Sequence, residues 1–425
     1  MQFDSLDQWL AWLEQAHPRE IDLGLERIRQ VAEKMGLLRP SARVVTVAGT
    51  NGKGSCVAAV AALATATGLR VGVYTSPHLL HYNERISVCG QPASDQRICT
   101  AFSRIHAAAD GISLTYFEYG TLAALEIFQA EALDLWVLEV GLGGRLDAVN
   151  LIDADIAVVT SIDLDHQDWL GDTREAIGRE KIGIARAGRP VVCADPNPPP
   201  SLCARVAELN APEYFLDKAF GWSQGDAGWR WWGTSATGQT RSLDDLPLSS
   251  LPLPSMAAAI QVAHVLSLDL THAQISHVLG ELQLPGRFQQ LEYQGRRLIL
   301  DVAHNPAAGR YLAERLKAFP VKGRVSALVA MMADKDRRET LAALVPWVDN
   351  WFAVSLPVTR AATADQLKVD LAELGVQLAG QGTMAECLAA AVAATEADET
   401  LVIWGSFYTV AAALAQLAPA SGRQL

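Results

Sequence analysis

The stretch from Arg43 to Thr67 constrains this chain more than any other. A β-branched run, Arg43-Val44-Val45-Thr46-Val47, enters Gly49-Thr50-Asn51-Gly52-Lys53-Gly54-Ser55 and leaves as an Ala- and Val-rich segment. The first run predicts a strand buried on both faces, and the last predicts a helix over 56–67 with Gly68 as its C-cap. Strand, Gly-rich loop and helix together form the setting of a phosphate-binding loop. Glycines let backbone N–H groups curl around an anion, the helix N-terminus adds its dipole, and Lys53 adds a full charge. The loop is a variant one. Counting back from Gly52, the first glycine of the strict pattern falls on Val47, and a hydroxyl follows Lys53 only after Gly54. The generic motif therefore leaves Ser55 without an assigned metal.

Residues 1–40 read as a helical lead-in. Further buried strands are expected over 70–74, 133–140, 155–162 and 190–194, separated by helical stretches. Such alternation predicts a mostly parallel α/β sheet whose ligands gather at the carboxyl ends of the strands. Residues 213–250, which include GWSQGDAGWRWWG, read as β-hairpins decorating this domain. The boundary falls at Leu284-Pro285-Gly286, giving domains over 1–286 and 287–425. The second repeats the alternation, with strands over 297–302, 324–331, 351–355 and 401–404 and helices over 306–319, 338–345, 364–374, 384–395 and 408–417. The expected fold is a P-loop-type, mostly parallel sheet domain with small β additions, followed by a smaller Rossmann-like α/β domain. The active site is expected in the cleft between them.

Charge narrows the partners. The 425 residues carry 47 acidic and 35 basic side chains, a net charge of −12, which disfavours a general nucleic-acid binder while allowing small anions wherever cations are local. Six cysteines without a CxxC pair suggest neither a zinc ribbon nor a disulfide scaffold. The amino-terminal MQFDSLDQWLAWLEQ carries acids where a signal peptide carries bases. A cytoplasmic monomer without membrane contact is expected.

Three potential metal ligands stand at strand ends: Glu139 closing DLWVLEV, Ser76 after the strand over 70–74, and His166 after that over 155–162. Taken singly, each also fits a structural role, as edge acid, cap or buried ring. Magnesium prefers hard oxygen ligands, which suits the carboxylate and hydroxyl better than the imidazole. Lys181 lies on a helix expected to start at Asp172, with a capping-box-like Asp172 and Glu175, and to stop near Gly188. Ile177, Lys181 and Ile184 share one apolar face. Spacing alone favours a lysine snorkelling past apolar neighbours; desolvation would instead lower its pKa and favour the neutral amine that takes up CO₂.

GTNGKGS (49–55), YTSPHLLHYNERI (74–86), LTYFEYGTLAAL (114–125), LEVGLGGRLDAVN (138–150), TSIDLDHQDWLG (160–171), REKIGI (179–184), LPGRFQ (284–289), DVAHNP (301–306), DKD (334–336) and WGSFYTV (404–410) occur in this order. Together they resemble the folylpolyglutamate synthase and dihydrofolate synthase family of the Mur ligase superfamily. The resemblance implies an ATP-dependent ligase that joins L-glutamate to dihydropteroate and to reduced folates through an acyl phosphate. It implies two Mg²⁺ ions, with Ser76, Glu139, His166 and a carbamylated Lys181 as ligands. Lys53, Lys181, His166 and Glu139 become the catalytic candidates. Gly49 to Ser55, Ser255, Arg287 and Asp301 become ATP contacts, with Ser255 standing where the family commonly has Asn. The pterin falls to Asp22-Leu23-Gly24-Leu25, to Thr115-Tyr116-Phe117-Glu118 and to Leu146-Asp147-Ala148, which tilts the reading toward a bifunctional enzyme. Two alternatives stay open: a cell-wall amino-acid ligase of the same superfamily, and a nucleotide-switch module. No residue is identified as the general base.

Overall fold

Val44, Val45, Val47 and Ala48 of β1 (Arg43–Ala48) are all buried, as a strand covered on both faces requires. Around it the computed structural model, which describes residues 3–320 and 323–421, builds an eight-stranded sheet. Its other strands are β2 (Val71–Tyr74), β3 (Ile86–Val88), β4 (Gln91–Pro92), β5 (Leu135–Glu139), β6 (Ile156–Val159), β7 (Val191–Cys193) and β8 (Glu213–Phe215). The order is β4-β3-β2-β5-β1-β6-β7-β8. Neighbours from β2 to β8 are parallel, and β3 and β4 add an antiparallel edge. After β1 the chain crosses to one side, into β2. After β5 it crosses to the other, into β6, so the carboxyl ends of β1, β5 and β6 surround a switch point.

The helix after β1 spans Lys53–Thr65 and begins three residues earlier than expected, because Gly52 takes the left-handed conformation (φ +82°) and serves as N-cap. Lys53, Gly54 and Ser55 thereby belong to the first helical turn. Its C-cap is Ala66, and Gly68 follows two residues later at φ +86°. The helix is apolar around most of its circumference because it packs between the sheet and a second Ala-rich helix, Leu253–Val265.

The Trp-rich segment forms a separate antiparallel sheet of β9 (Phe220–Gln224), β10 (Trp229–Thr234) and β11 (Thr240–Leu246). Trp229 and Trp231 are buried, and their indole N–H groups donate to Pro247 O (3.0 Å) and Ala257 O (3.1 Å). The start of the expected hairpin region behaves differently: β8 joins the edge of the large sheet, where it pairs parallel with β7.

The helix carrying Lys181 spans Arg174–Lys181, shorter than expected, and continues as a 3₁₀ turn over Ile182–Ile184. Its N-cap is Thr173, whose hydroxyl accepts from Ala176 N, and not Asp172. Glu175 is instead engaged by the N–H of Ser201 at 2.9 Å.

Contacts divide the chain into two units, Met1–Leu282 and Gln283–Leu425. The second contains β12 (Gln289–Tyr293), β13 (Arg296–Asp301), β14 (Val325–Val329), β15 (Asn350–Val354), β16 (Leu378–Gly382) and β17 (Thr400–Trp404). They lie in the order β12-β13-β17-β14-β15-β16, with only β12 antiparallel. Helices Pro306–Ala318, Arg337–Ala342, Ala364–Glu373, Met384–Ala394 and Phe407–Ser421 match the expected ones. Strands β12 and β16 had no counterpart in the sequence reading. Both are edges with alternating exposure, so neither shows the continuous apolar run of a central strand. Asp301 accordingly ends the second strand of this unit and not the first. Among the described residues no helix is long and apolar enough to cross a membrane.

Candidate active site

The loop after β1 is braced by the residues that follow β6. Thr50 N donates to Ser161 O (2.8 Å), Asn51 N to Ser161 Oγ (3.0 Å), Asp163 N to Thr50 Oγ1 (3.0 Å), and Thr160 Oγ1 to Asn51 O (2.6 Å). Ser255 is buried and donates to Gly52 O (3.2 Å). Lys53 Nζ reaches back to Gly49 O (3.0 Å) and Thr50 O (3.2 Å). The glycines are required sterically. A Cβ on Gly49 would lie 1.9 Å from Thr160 Oγ1, and one on Gly52 2.4 Å from Ser255 Oγ.

Glu139, at the end of β5, is buried and accepts from Ser76 N at 3.2 Å, so two of the predicted metal ligands meet. A Cβ on Gly54 would stand 3.7 Å from both Glu139 carboxylate oxygens. Glycine there keeps open the space between carboxylate and helix N-terminus, a cradle of hard oxygens and positive dipole that suits a magnesium-bound phosphate. His166 is the N-cap of the short helix Gln167–Leu170, at φ +51°, with its ring 4.0 Å from Asp165 Oδ1. Among the described residues no three His, Cys, Asp or Glu side chains form a metal-binding group. The predicted set holds only two of those types, beside Ser76 and Lys181.

Lys181 is buried, and burial, reinforced by the charge of Lys53, pushes its ammonium down to about 7 against the pull of Asp165 and Asp147. Asp147 is pushed up to about 7 by burial, although Leu142 N (2.8 Å) and Val149 N (3.0 Å) donate to it and Lys53 opposes the rise. These two shifted groups and Lys53 share one electrostatic neighbourhood. The backbone adds a steric link, because a Cβ on Gly144 would lie 2.9 Å from Lys181 O.

The three stretches assigned to the pterin converge. Gly24 N donates to Leu146 O at 3.3 Å. Thr115 and Glu118 form a capping box at the start of helix Tyr116–Gln129. Arg27 joins both sides, with Nη1 2.7 Å from Asp22 Oδ2 and Nη2 3.3 Å from Glu118 Oε1. Burial raises the Glu118 carboxyl, while the Thr115 amide and Arg27 hold it back. Half-buried Phe117 covers Gly141, where a Cβ would approach its ring to 2.5 Å, and lies 6.0 Å from the Tyr74 ring. Leu23, Tyr116 and Leu146 are partly exposed beside them, and Ala148 is buried. Arg27 escaped sequence reasoning. Its one signal was a basic residue five positions after Asp22 in DLGLER.

Within the second unit Arg287 and Asp301 are linked electrostatically. Asp301 accepts from Phe288 N and Ala303 N, both at 2.8 Å. Burial raises its carboxyl, and Arg287 is the largest influence lowering it. The Arg287 guanidinium lies 4.8 Å from the centre of the Phe407 ring, a neighbour that the sequence did not indicate.

Residues 286–407 fit the family model described as Mur ligase, glutamate ligase domain. The dihydrofolate synthase/folylpolyglutamate synthase of Escherichia coli (strain K12) is 44% identical over 410 residues, covering 96% of this chain and 94% of that protein. The structure of E. coli FolC in complex with DHPP and ADP superposes with a TM-score of 0.93 at 42% identity, covering 99% of both chains. That of a bifunctional folylpolyglutamate synthase/dihydrofolate synthase with Mn, AMPPNP and L-glutamate bound gives 0.91 at 44% identity, covering 98% of this chain and 99% of that one. The chain belongs to the dihydrofolate synthase/folylpolyglutamate synthase family of Mur ligases.

Proposed function

We propose that this chain is an ATP-dependent ligase that joins L-glutamate to dihydropteroate, giving dihydrofolate, and to the glutamate tail of reduced folates. One observation carries the reading: the 44% identity to a bifunctional synthase runs through 96% of the chain. The relatives' structures with DHPP and ADP, and with Mn, AMPPNP and L-glutamate, support sites for acceptor, nucleotide, metal and amino acid.

A carboxylate is a poor electrophile. Attack of its oxygen on the ATP γ-phosphorus breaks the bond to ADP and gives an acyl phosphate. The glutamate amine, having lost its proton, then adds to the carbonyl, and the tetrahedral intermediate expels phosphate as the amide forms. Gly49 to Ser55 hold the phosphates, with the backbone N–H groups of the first helical turn, Lys53, Gly54 and Ser55, as donors, and Lys53 adds a charge whose attraction grows as negative charge gathers on the transferring γ-phosphate. Ser255 acts through the loop, by fixing the Gly52 carbonyl. Arg287 and Asp301 serve the nucleotide from residues 287–425. Magnesium held by Ser76, Glu139 and His166, with a second ion at a carbamylated Lys181, would neutralise the charge of the assembled anions. Carbamylation itself is the addition of the neutral Lys181 amine to CO₂ with release of a proton. Burial of this amine supports that chemistry.

The test is phosphate release and product mass with dihydropteroate, ATP and L-glutamate together, and then with each omitted. Dihydrofolate should form only when all three are present. Phosphate release that ignores glutamate would overturn the ligase reading, and glutamate addition to reduced folates alone would remove the synthase half.

A further inference from the structure

Among the described residues, Arg85 is an arginine buried without a counter-ion. Only 9% of it is exposed, and it lies in the 3₁₀ turn Tyr82–Arg85 that follows the strand carrying Tyr74. Its guanidinium stands 5.4 Å from the Tyr82 ring centre and 5.6 Å from that of Tyr116. Among the described residues its one hydrogen-bond partner is His78, whose Nδ1 accepts from Nε at 2.8 Å, and no carboxylate lies at ion-pair distance. The adjacent carboxylate is already committed: Glu84 accepts from Leu79 N (2.7 Å), Leu80 N (2.8 Å) and His81 N (2.7 Å). The two terminal nitrogens have no acceptor among the described residues, and they are not among the fully enclosed unpartnered atoms.

A permanently charged fork in this state has lost much of its hydration and gained only ring faces in return. A planar anion would complete it in the bidentate mode that a guanidinium favours. Two contacts place Arg85 beside the site read above. Tyr116, which stacks on Arg85, belongs to the stretch assigned to the pterin. The Arg85 carbonyl accepts from Thr75 N at 2.9 Å, next to Ser76.

We propose that Arg85 is the receptor for a carboxylate of the folate-type acceptor, held between the ring-binding stretch and the phosphate loop, with His78 fixing the guanidinium through Nε. The inference rests on the ligase reading above and assigns to that site a specificity-determining residue.

The test is calorimetric binding of dihydropteroate, and of its analogue lacking the benzoate carboxyl group, to wild type, Arg85→Met and Arg85→Lys, with KM for L-glutamate measured alongside. Wild type should prefer the carboxylated ligand at least tenfold. Arg85→Met should bind dihydropteroate at least tenfold more weakly, with the analogue and the glutamate KM changed less than twofold, and Arg85→Lys should fall between. Equal losses for the two ligands would reduce Arg85 to support for Tyr82 and Tyr116 and overturn the proposal. So would unchanged dihydropteroate binding, or an effect confined to glutamate KM. If Arg85→Met does not fold, Arg85→Lys and the wild-type preference between the two ligands decide the matter. Absence of dihydropteroate binding by wild type would instead overturn the ligase reading itself.

Discussion

Arg27 Nη2 stands 3.3 Å from Glu118 Oε1, while Nη1 of the same guanidinium holds Asp22 at 2.7 Å. One cation thus ties the stretch after the amino-terminal helix to the first turn of helix Tyr116–Gln129. Burial raises the Glu118 carboxyl above its ordinary value of 4.5, and Arg27 opposes that rise. A carboxyl raised in the folded state contributes most below its unfolded pKa, and the contribution is lost as pH rises through the folded value. Replacing Arg27 with Met raises the folded value further, so the loss deepens toward neutral pH. Arg27→Met should be less stable than wild type by about 1–3 kcal/mol at neutral pH. In thermal melts the gap should widen between pH 4.5 and 7. A gap that stays constant or narrows would contradict the bridge.

Gly52 combines φ +82° with a Cβ position 2.4 Å from Ser255 Oγ. Gly52→Ala therefore meets left-handed strain of about 1–2 kcal/mol and a collision with a hydroxyl bonded to this same residue. The variant should melt lower and show a raised KM for ATP. Gly52→Ala with Ser255→Ala should recover part of the loss, because the collision disappears while the strain remains. Strictly additive effects would show that the two residues do not meet.

The cap of the Lys181 helix separates two readings of one sequence. Thr173 accepts from Ala176 N at 3.2 Å, whereas Asp172 lies outside the cap. Thr173→Ala should cost about 1 kcal/mol in denaturant unfolding, and Asp172→Ala a few tenths at most. The reverse order would restore Asp172 as the cap.

What the sequence revealed, and what it concealed, follows from the range of the interactions. The core of β1, the loop through Ser55 and the helices of the second unit were legible because each is written in a local run of residues. Strand β12 was not, because its turn uses Gln294 and Gly295, at φ +51° and +72°, in place of the commoner Asn-Gly, and its alternate residues are exposed. Arg27 was invisible because its partner Glu118 lies 91 positions away, and the Ser255 contact to Gly52 spans 203. Resemblance supplied the names of the pterin stretches, but the cation that joins them emerged only when the chain was folded. The state of Arg85 was likewise silent in YNERI, since the defining fact there is a partner withheld from the guanidinium by Glu84's commitment to three backbone amides.

Lys53 and Lys181 are coupled through space, and that coupling predicts an effect of one on the chemistry of the other. Burial first and Lys53 second lower the Lys181 ammonium to about 7. At neutral pH a large fraction of the amine is therefore neutral and able to add CO₂. Removing Lys53 raises the Lys181 pKa and so shrinks that fraction, and it also withdraws a cation that would favour the carbamate anion. Lys53→Met should thus show less carbamate at pH 7 in ¹³C-bicarbonate spectra than wild type. The difference should narrow by about pH 9, where the amine is more fully neutral in both proteins. Lys181→Ala should show no carbamate signal and should lose about 100-fold or more in kcat, which bicarbonate would not restore. An unchanged carbamate signal in Lys53→Met would mean that the two lysines do not interact, and full activity in Lys181→Ala would remove the carbamate from the reaction.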